Sequence, residues 1–306
     1  MKSTKYTGIS FYQGNIQLAE VEHGKKTTVT ALGERPTAMD FSQGGANLSP
    51  DHPQLFTFVY ELEELLKQSR VRSKYISFAL PTDPVFINII PVDAALQGNE
   101  VSAHIQWELE QYHPDTPLKE FIIDSQPLPW GDKDVKQMFV VCVRRGMVGF
   151  LKKAVAELKL QLHLVDIDHF STEKSLRFNY PECAEENVAL FGVRHGRVDA
   201  SLVLQGELCD YRAFLIDSSA DVGDAVATYL TYLKEKEGVD SPGKIVLHGM
   251  DITPALVAKI KRERGTETLA LDAVRGLSPS KKLHEPFVKE SSRFAAAIGL
   301  ALRASP

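Results

Sequence analysis

Several features that assign a chain to a functional class are scarce or missing in this sequence. It has only three cysteines in 306 residues, Cys142, Cys183 and Cys209, and they form no Cys-x-x-Cys motif. Widely spaced cysteines in an odd number indicate reduced thiols in a cytosolic protein. They argue against a disulfide framework.

Long hydrophobic runs are also absent. The longest apolar stretch, FAAAIGLALRA near the end of the chain, is shorter than the roughly 20 residues that a membrane-spanning helix needs. The first residues, MKSTKYTGIS, lack the apolar segment of a secretory signal. We therefore expect a soluble chain that reaches a membrane only through a partner.

The sequence has no excess of basic residues. Lysine and arginine number 35 against 40 aspartate and glutamate residues, which gives a net charge of −5. This balance offers no electrostatic reason to expect nucleic-acid binding. The densest basic run, KIKRERG at 259–265, is predicted to end a helix, where positive charge complements the helix dipole.

The common catalytic motifs are missing too: there is no Gly-x-Ser-x-Gly elbow, no His-Glu-x-x-His pair and no Walker loop. The segment HLVDIDH places His163, Asp166, Asp168 and His169 close together in sequence. If this segment is a strand, alternation puts His163 on the face opposite Asp166 and Asp168. The pattern therefore predicts no metal site, because no ligand triad forms.

A repeated pattern is present instead. The stretch YTGISFYQGNIQLAEVEHGKKTTVTAL, residues 6–32, predicts three strands joined by turns at Gly14 and Gly24. The pattern returns from Asn187, with turns at Gly196 and Gly206. Each meander leads into alternating helices and strands, which indicates a duplicated α/β architecture with two lobes.

Particular residues narrow the class further. The segments GISFYQGNIQLAEV, IQWELEQYHP, VVCVRRGMVGFLKKAVAELKLQLHLVDIDHFSTEKSLR and RFAAAIGLALR resemble PilM, the type IV pilus assembly family, within the actin-like proteins that include FtsA. The resemblance implies an actin-like (ribonuclease H-like, duplicated) α/β fold with an inserted FtsA/PilM-type subdomain. It also implies a cytoplasmic protein of the bacterial inner-membrane platform, which binds the cytoplasmic tail of the membrane protein PilN in a groove between subdomains.

The same resemblance implies a division of the chain. Residues 1–81, 165–186 and 290–306 are expected to form the first lobe, and residues 82–164 the inserted subdomain. Residues 187–276 are expected to form the second lobe. In the family a helical subdomain that caps the nucleotide base follows the second meander. Here AFLIDSSADVGDAVATYLTYL is expected to enter the next helix directly, so the second lobe is reduced and an adenine ring would lose apolar cover.

The phosphate-binding positions also depart from the family. Members carry Asp-x-Gly in the first hairpin and a lysine soon after, whereas this chain has Ser10, Phe11 and Tyr12, with Gln17 at the lysine position. A tyrosine adds a ring where a phosphate needs bare backbone. We therefore predict that this hairpin only bends the chain, and that Gly14 serves the turn alone.

The second hairpin and a later glycine loop have diverged as well. LFGVRHGRVDAS places Phe191 or Gly192 near the expected aspartate, and Gly249 is the one glycine retained in the later loop. Contact with an anion is an alternative for Arg194 and His195, but a solvated turn is favoured. Asp168 resembles the acidic residue that orients the attacking water in actin-like enzymes, but without a phosphate site an N-cap or hinge role is favoured.

The sequence thus predicts a non-catalytic adaptor, with no cofactor, that binds the tail of a PilN-like protein. The groove candidates are Glu110, Gln111, Tyr112, Arg144 and Arg145; in an alternative interpretation Tyr112 and Pro114 only cap and pack a helix end. A rival hypothesis is an active ATPase that binds ATP and Mg²⁺ through divergent loops, with Asp168 as its catalytic residue. A homo-oligomer or filament like FtsA also stays open.

Overall fold

Three β-sheets and eight α-helices make up the described part of the chain. The computed structural model describes residues 3–12, 14–218, 221–237, 242–250 and 252–303. The strands are β1 Thr4–Tyr12, β2 Asn15–His23, β3 Thr28–Pro36, β4 Tyr75–Leu80, β5 Phe86–Asp93, β6 Phe121–Asp132, β7 Val135–Arg144, β8 Gln161–Ile167, β9 Asn187–Arg194, β10 Arg197–Leu204, β11 Glu207–Leu215, β12 Lys244–Gly249, β13 Glu267–Ala270 and β14 Ser278–Pro279. The helices are α1 Leu55–Gln68, α2 Asn99–Tyr112, α3 Arg145–Glu157, α4 Asp168–Asn179, α5 Val222–Glu237, α6 Pro254–Arg264, α7 Glu285–Lys289 and α8 Ala295–Arg303.

The first sheet has six strands in the order β14-β3-β2-β1-β4-β8. Strands β1 to β3 form the predicted antiparallel meander, and β4 and β8 add to it in parallel. Gly14 has the left-handed φ of +72°, which glycine adopts without steric cost. Helices α1 and α3 cover one face, and α8 covers the other.

The second sheet repeats this order as β11-β10-β9-β12-β13. Its meander turns at Gly196 and Gly206, whose φ values are +73° and +80°. Helices α5 and α6 pack against it through an apolar cluster that includes Val226, Tyr229 and Ile260. The shared strand order of the two sheets confirms the duplicated two-lobed fold.

A third sheet, β5-β7-β6, is inserted in the chain between β4 and β8. Helix α2 packs on one face of it through Ile105 and Leu109, against alternate β7 residues such as Met138 and Val140. The alternate β7 residues Phe139, Val141 and Val143 point toward the first lobe.

Two details concern the borders of this inserted region. Strand β8 begins at Gln161 and pairs with β4 from Tyr75, so the end of the 82–164 range lies in the first sheet. After β11, the chain reaches α5 through residues 216–221, of which 219 and 220 are not described. The division into domains remains a prediction.

Two amphipathic helices each bury one face. In α1 the buried residues are Leu55, Phe58, Leu62 and Leu65. In α2, Ile105 and Leu109 are buried, whereas 55% of Trp107 is exposed. Among the described residues, no helix combines the length and apolarity required to cross a bilayer.

Candidate functional site

The two lobes meet at a small cavity that collects the residues of the diverged nucleotide motifs. Ser10, Tyr12, Gln17, Gly192 and Gly249 all line it, together with Asp168, Arg194, His248 and Arg293. Five positions from three segments that are far apart in sequence therefore come together in the fold. The cavity holds about 20 Å³, which is room for about one water molecule.

Tyr12 lines this cavity and joins the lobes. Its hydroxyl donates to the carbonyl oxygen of Val193 and accepts from the backbone N–H of Met250 at 3.2 Å. Gly249 leaves room for it: a Cβ there would lie 2.2 Å from the Val193 oxygen. The first hairpin therefore does more than bend the chain, because its last side chain contacts the second lobe.

Arg194 is not in a solvated turn, so that prediction is wrong for this residue. Its side chain is only 10% exposed, and it forms ion pairs with Asp168 at 3.0 Å, with Asp83 at 3.5 Å and with Asp199. It also donates a hydrogen bond to Thr82. Arg194 thus lies between carboxylates of both lobes. Its neighbour His195 is exposed, as predicted.

Asp199 is the fully buried centre of this interlobe cluster. It accepts hydrogen bonds from Arg197 at 3.0 Å, from the Tyr211 hydroxyl at 2.6 Å and from Thr82 at 2.8 Å. Burial alone would raise its pKa, but the guanidinium groups of Arg194 and Arg197 outweigh burial and hold the pKa well below the usual range. Asp199 therefore stays ionised.

Asp168 has a different place from the one predicted. Strand β8 ends at Ile167, so Asp168 is the first residue of α4 rather than its N-cap, and its Oδ1 accepts from the His169 N–H at 2.6 Å. Burial raises the pKa of Asp168, Arg194 offsets only part of this effect, and the charge of Asp199 adds to the rise, so that the pKa of Asp168 is about 7.

Strand alternation predicted Asp166 and Asp168 of the HLVDIDH segment on the same face of the strand. This prediction is wrong, because the two carboxylates have separate surroundings. Asp166 accepts from the Ser171 hydroxyl at 2.8 Å and pairs with Arg303 at 3.1 Å, away from the Asp168–Arg194 pair. His163 packs instead on the ring of Tyr6. Within the described ranges, no three His, Cys, Asp or Glu side chains are grouped as a metal would require.

Two buried histidines complete the interlobe cluster. His248 Nε2 lies 3.1 Å from His169 Nδ1, and His169 Nε2 lies 2.9 Å from the Ser201 hydroxyl. Both rings pack over Gly192, where a Cβ would approach them to within 3 Å. Burial lowers the pKa of His169 to about 4, and burial also lowers that of His248 well below its usual value. Both rings are therefore neutral near pH 7.

A much larger groove lies between the third sheet and the first lobe, with a volume of about 1320 Å³. Strand β6 borders it on one side, and β8 and α3 on the other. Its apolar lining includes Ile122, Val141, Val143, Leu162, Leu164 and Phe170. Strands β6 and β8 are each the last strand of their sheet, so two open strand edges flank the groove.

Charged groups at the border of the groove pair with one another. Arg303 pairs with Asp166 and donates to the carbonyl of Phe170 at 3.1 Å, while Arg177 pairs with Glu173. Asp124, Lys152 and Glu207 also line the groove, so it offers a ligand both apolar surface and charged groups, together with the backbone of the two strand edges.

The five partner candidates from the sequence lie outside this groove. Glu110 and Gln111 are exposed on α2, and Tyr112 packs on Phe86 with 52% of its surface exposed. Arg144 pairs with Glu120, and Arg145, the first residue of α3, donates to the carbonyls of Lys119 and Phe121. The sequence predicted a groove between the inserted subdomain and the first lobe but did not identify the residues that line this one; the half-buried leucines of the edge strand β8 were the available signal.

The comparisons with known proteins concern the family and the fold. A family model described as "Type IV pilus assembly protein PilM" matches residues 54–213. The chain matches no curated protein.

Two solved structures are similar along nearly the whole chain. A structure of the PilM–PilN type IV pilus biogenesis complex is 20% identical with a TM-score of 0.75, covering 98% of this chain and 99% of that one. The ethanolamine utilization protein EutJ from Carboxydothermus hydrogenoformans is 10% identical with a TM-score of 0.51, covering 99% and 90%. Both support the actin-like fold.

Proposed function

The chain belongs to the family of the type IV pilus assembly protein PilM, and we propose that it is a non-catalytic adaptor for a PilN-like membrane protein. In this proposal, the short cytoplasmic tail of that protein binds as an extended peptide in the groove between β6 and β8. The adaptor would reach the bacterial inner membrane through this partner.

One observation carries the proposal: the contrast between the two sites. The groove has about 1320 Å³ available, whereas the interlobe cavity has about 20 Å³. Small-molecule sites usually offer at least about 300 Å³. In this conformation the groove has room for a peptide, whereas the interlobe cavity is smaller than a nucleotide, and this contrast supports the proposal.

The open edges suggest how the peptide would bind. An extended segment can add to the free edge of a sheet through main-chain hydrogen bonds, with alternate side chains in pockets. Leu162 and Leu164 on β8, and Ile122 on β6 across from Val143 on β7, offer apolar contacts along both walls. An interface of this size supports an affinity in the micromolar range.

The absence of catalysis is proposed from the interlobe cluster. Arg194 places a positive charge beside Asp168, the one carboxylate that lines the cavity. A carboxylate paired in this way is a poor ligand for Mg²⁺ unless Arg194 moves. Tyr12, bonded to the opposite lobe, fills the place where a phosphate would approach the backbone. An ATPase would need both side chains to withdraw.

The test is a fluorescence-polarisation titration with a labelled synthetic peptide. The peptide copies the N-terminal cytoplasmic tail of the PilN-like protein encoded beside this chain. Saturable binding in the micromolar range is expected. Ile122→Asp places a charge on the apolar wall and should weaken binding at least about tenfold, or 1.4 kcal/mol.

Trp107→Asp is the matched control, because it also replaces an exposed apolar residue, but on α2 and outside the groove. It should leave the affinity unchanged. If wild type shows no saturation up to millimolar peptide, the adaptor proposal fails. If the Trp107 variant loses binding and the Ile122 variant does not, the binding site lies on α2 near the sequence candidates.

A further inference from the structure

The interlobe cluster and the groove share a wall, and Tyr211 stands in that wall. Its ring is buried behind the groove, packed against Phe170 at 5.4 Å and Phe139 at 6.1 Å between ring centres. Phe139 and Phe170 line the groove and pack edge to face at 5.1 Å. Tyr211 itself does not line it.

The opposite end of the Tyr211 side chain belongs to the cluster. Its hydroxyl donates to Asp199 at 2.6 Å and accepts from Arg197 at 3.2 Å. A hydrogen bond to a buried carboxylate is among the stronger ones in proteins. These two bonds fix the position and tilt of the ring, and the ring in turn supports the two phenylalanines of the groove.

A second connection runs along α4. Asp168, the first residue of the helix, pairs with Arg194 of the cluster, and Phe170 lies two residues later in the same turn. The cluster therefore holds Phe170 in two ways, through the backbone of α4 and through the Tyr211 ring. Aromatic side chains packed at this density do not shift one without another.

We infer that Tyr211 and Asp199 are positioning residues for the peptide groove: the buried charge cluster at the lobe junction sets the shape of its aromatic wall. This inference rests on the proposed peptide binding and adds residues that do not contact the peptide. Where an actin-like enzyme would have a nucleotide between its lobes, this chain has a fixed set of side chains that support a binding site elsewhere.

The test uses Tyr211→Phe in the full chain, because this change keeps the ring and removes only the hydroxyl. The same labelled peptide is titrated, and about fivefold weaker binding is expected, within the range of coupling between residues in contact. Tyr180→Phe is the control, because Tyr180 is also buried but lies outside the groove. The Tyr180 hydroxyl accepts one hydrogen bond, from the Asp272 N–H at 3.1 Å. This variant should bind the peptide as wild type does.

Hydrogen exchange without peptide gives a second readout. Tyr211→Phe should speed amide exchange at the start of α4 and in β7, whereas Tyr180→Phe should leave both segments unchanged. If Tyr211→Phe binds within twofold of wild type and its exchange is unaltered, the inference is overturned and the adaptor proposal stands. If wild type binds no peptide, the adaptor proposal fails, and the exchange data alone decide whether the cluster shapes the wall.

Discussion

At the scale of single residues, the lobe junction depends on a few buried polar groups that compensate one another. Arg194 serves carboxylates from both lobes, and Asp199 receives four donors or cations at once. Removing one partner of such a network leaves the others buried and unpaired, which costs more than the bond itself contributes. The neutral pair His169–His248 lies in the same network.

This arrangement predicts acid sensitivity. Burial holds the pKa of His169 near 4 in the folded state, against about 6.5 in the unfolded chain. The unfolded state therefore binds more protons between these values, and stability is lost as the pH falls through 6.5 toward 4. When the pH falls from about 7.5 to about 5, protonation of His169 in the unfolded state should lower the free energy of unfolding of wild type by about 2 kcal/mol.

Urea denaturation of wild type and His169→Gln across that range measures the effect. The advantage of wild type over the variant should shrink by this amount as the pH falls, since glutamine can keep the bond to Ser201 but does not titrate. His195→Gln changes an exposed position. Its free energy of unfolding should differ from that of wild type by the same amount at every pH. If the difference in unfolding free energy between wild type and His169→Gln stays constant across this pH range, His169 is not a buried, neutral histidine in the folded state.

At the scale of elements, the last helix explains the glycines of the RFAAAIGLALR segment and of β1. Helix α8 lies so close to its neighbours that a Cβ on Gly299 would stand 1.8 Å from the carbonyl oxygen of Ser171 in α4. A Cβ on Gly8 would stand 2.0 Å from that of Ala297. Both clashes involve backbone, which cannot rotate away as a side chain can. These glycines allow α8 to pack between β1 and α4.

Gly299→Ala should therefore separate α8 from α4. The expected loss of unfolding free energy is about 3 kcal/mol, at the upper end of what overpacking costs, even though alanine favours a helix. Chemical denaturation measures it. Gly24→Ala is the control, because the nearest atom to its Cβ would be 3.8 Å away; it should change stability by less than about 1 kcal/mol. Equal stability of the two variants would contradict this close packing.

At the scale of the whole molecule, the lobes are joined by side chains. Tyr12 reaches from the first sheet to Val193 and Met250, and Arg194 reaches back to Asp168 and Asp83. The conformation in which the lobes meet is therefore held by the protein itself. Whether copies of the chain also assemble is a separate question, which light scattering across concentration addresses.

Millimolar ATP with Mg²⁺ should leave the melting temperature of the protein unchanged. A ligand at 100 times its Kd stabilises the folded state by about 2.7 kcal/mol. For a chain of this length each kcal/mol is worth roughly 2–4 °C or slightly less, so a site with micromolar affinity would give a shift of several degrees. A clear Mg²⁺-dependent rise that ADP reproduces would support the ATPase alternative and restore Asp168 as a catalytic candidate.

Local patterns in the sequence determined much of the architecture. Glycines at turns, β-branched strands and the return of the meander at Asn187 predicted a duplicated fold, because these signals act over a few residues and survive in any context. The family resemblance, rather than a local pattern, picked out Ser10, Tyr12, Gln17, Gly192 and Gly249 as the nucleotide positions, and in the structure all five line one cavity.

Only the tertiary structure decided which side chains surround that cavity and where an open groove lies. Arg194 ends a strand and precedes a glycine turn, which locally indicates solvent, yet it pairs with Asp199 and with two carboxylates distant in sequence, Asp83 and Asp168. The groove arises because β6 and β8, which belong to different sheets, face each other with open edges. Burial and edge exposure depend on which distant element lies alongside, and no local pattern contains that information.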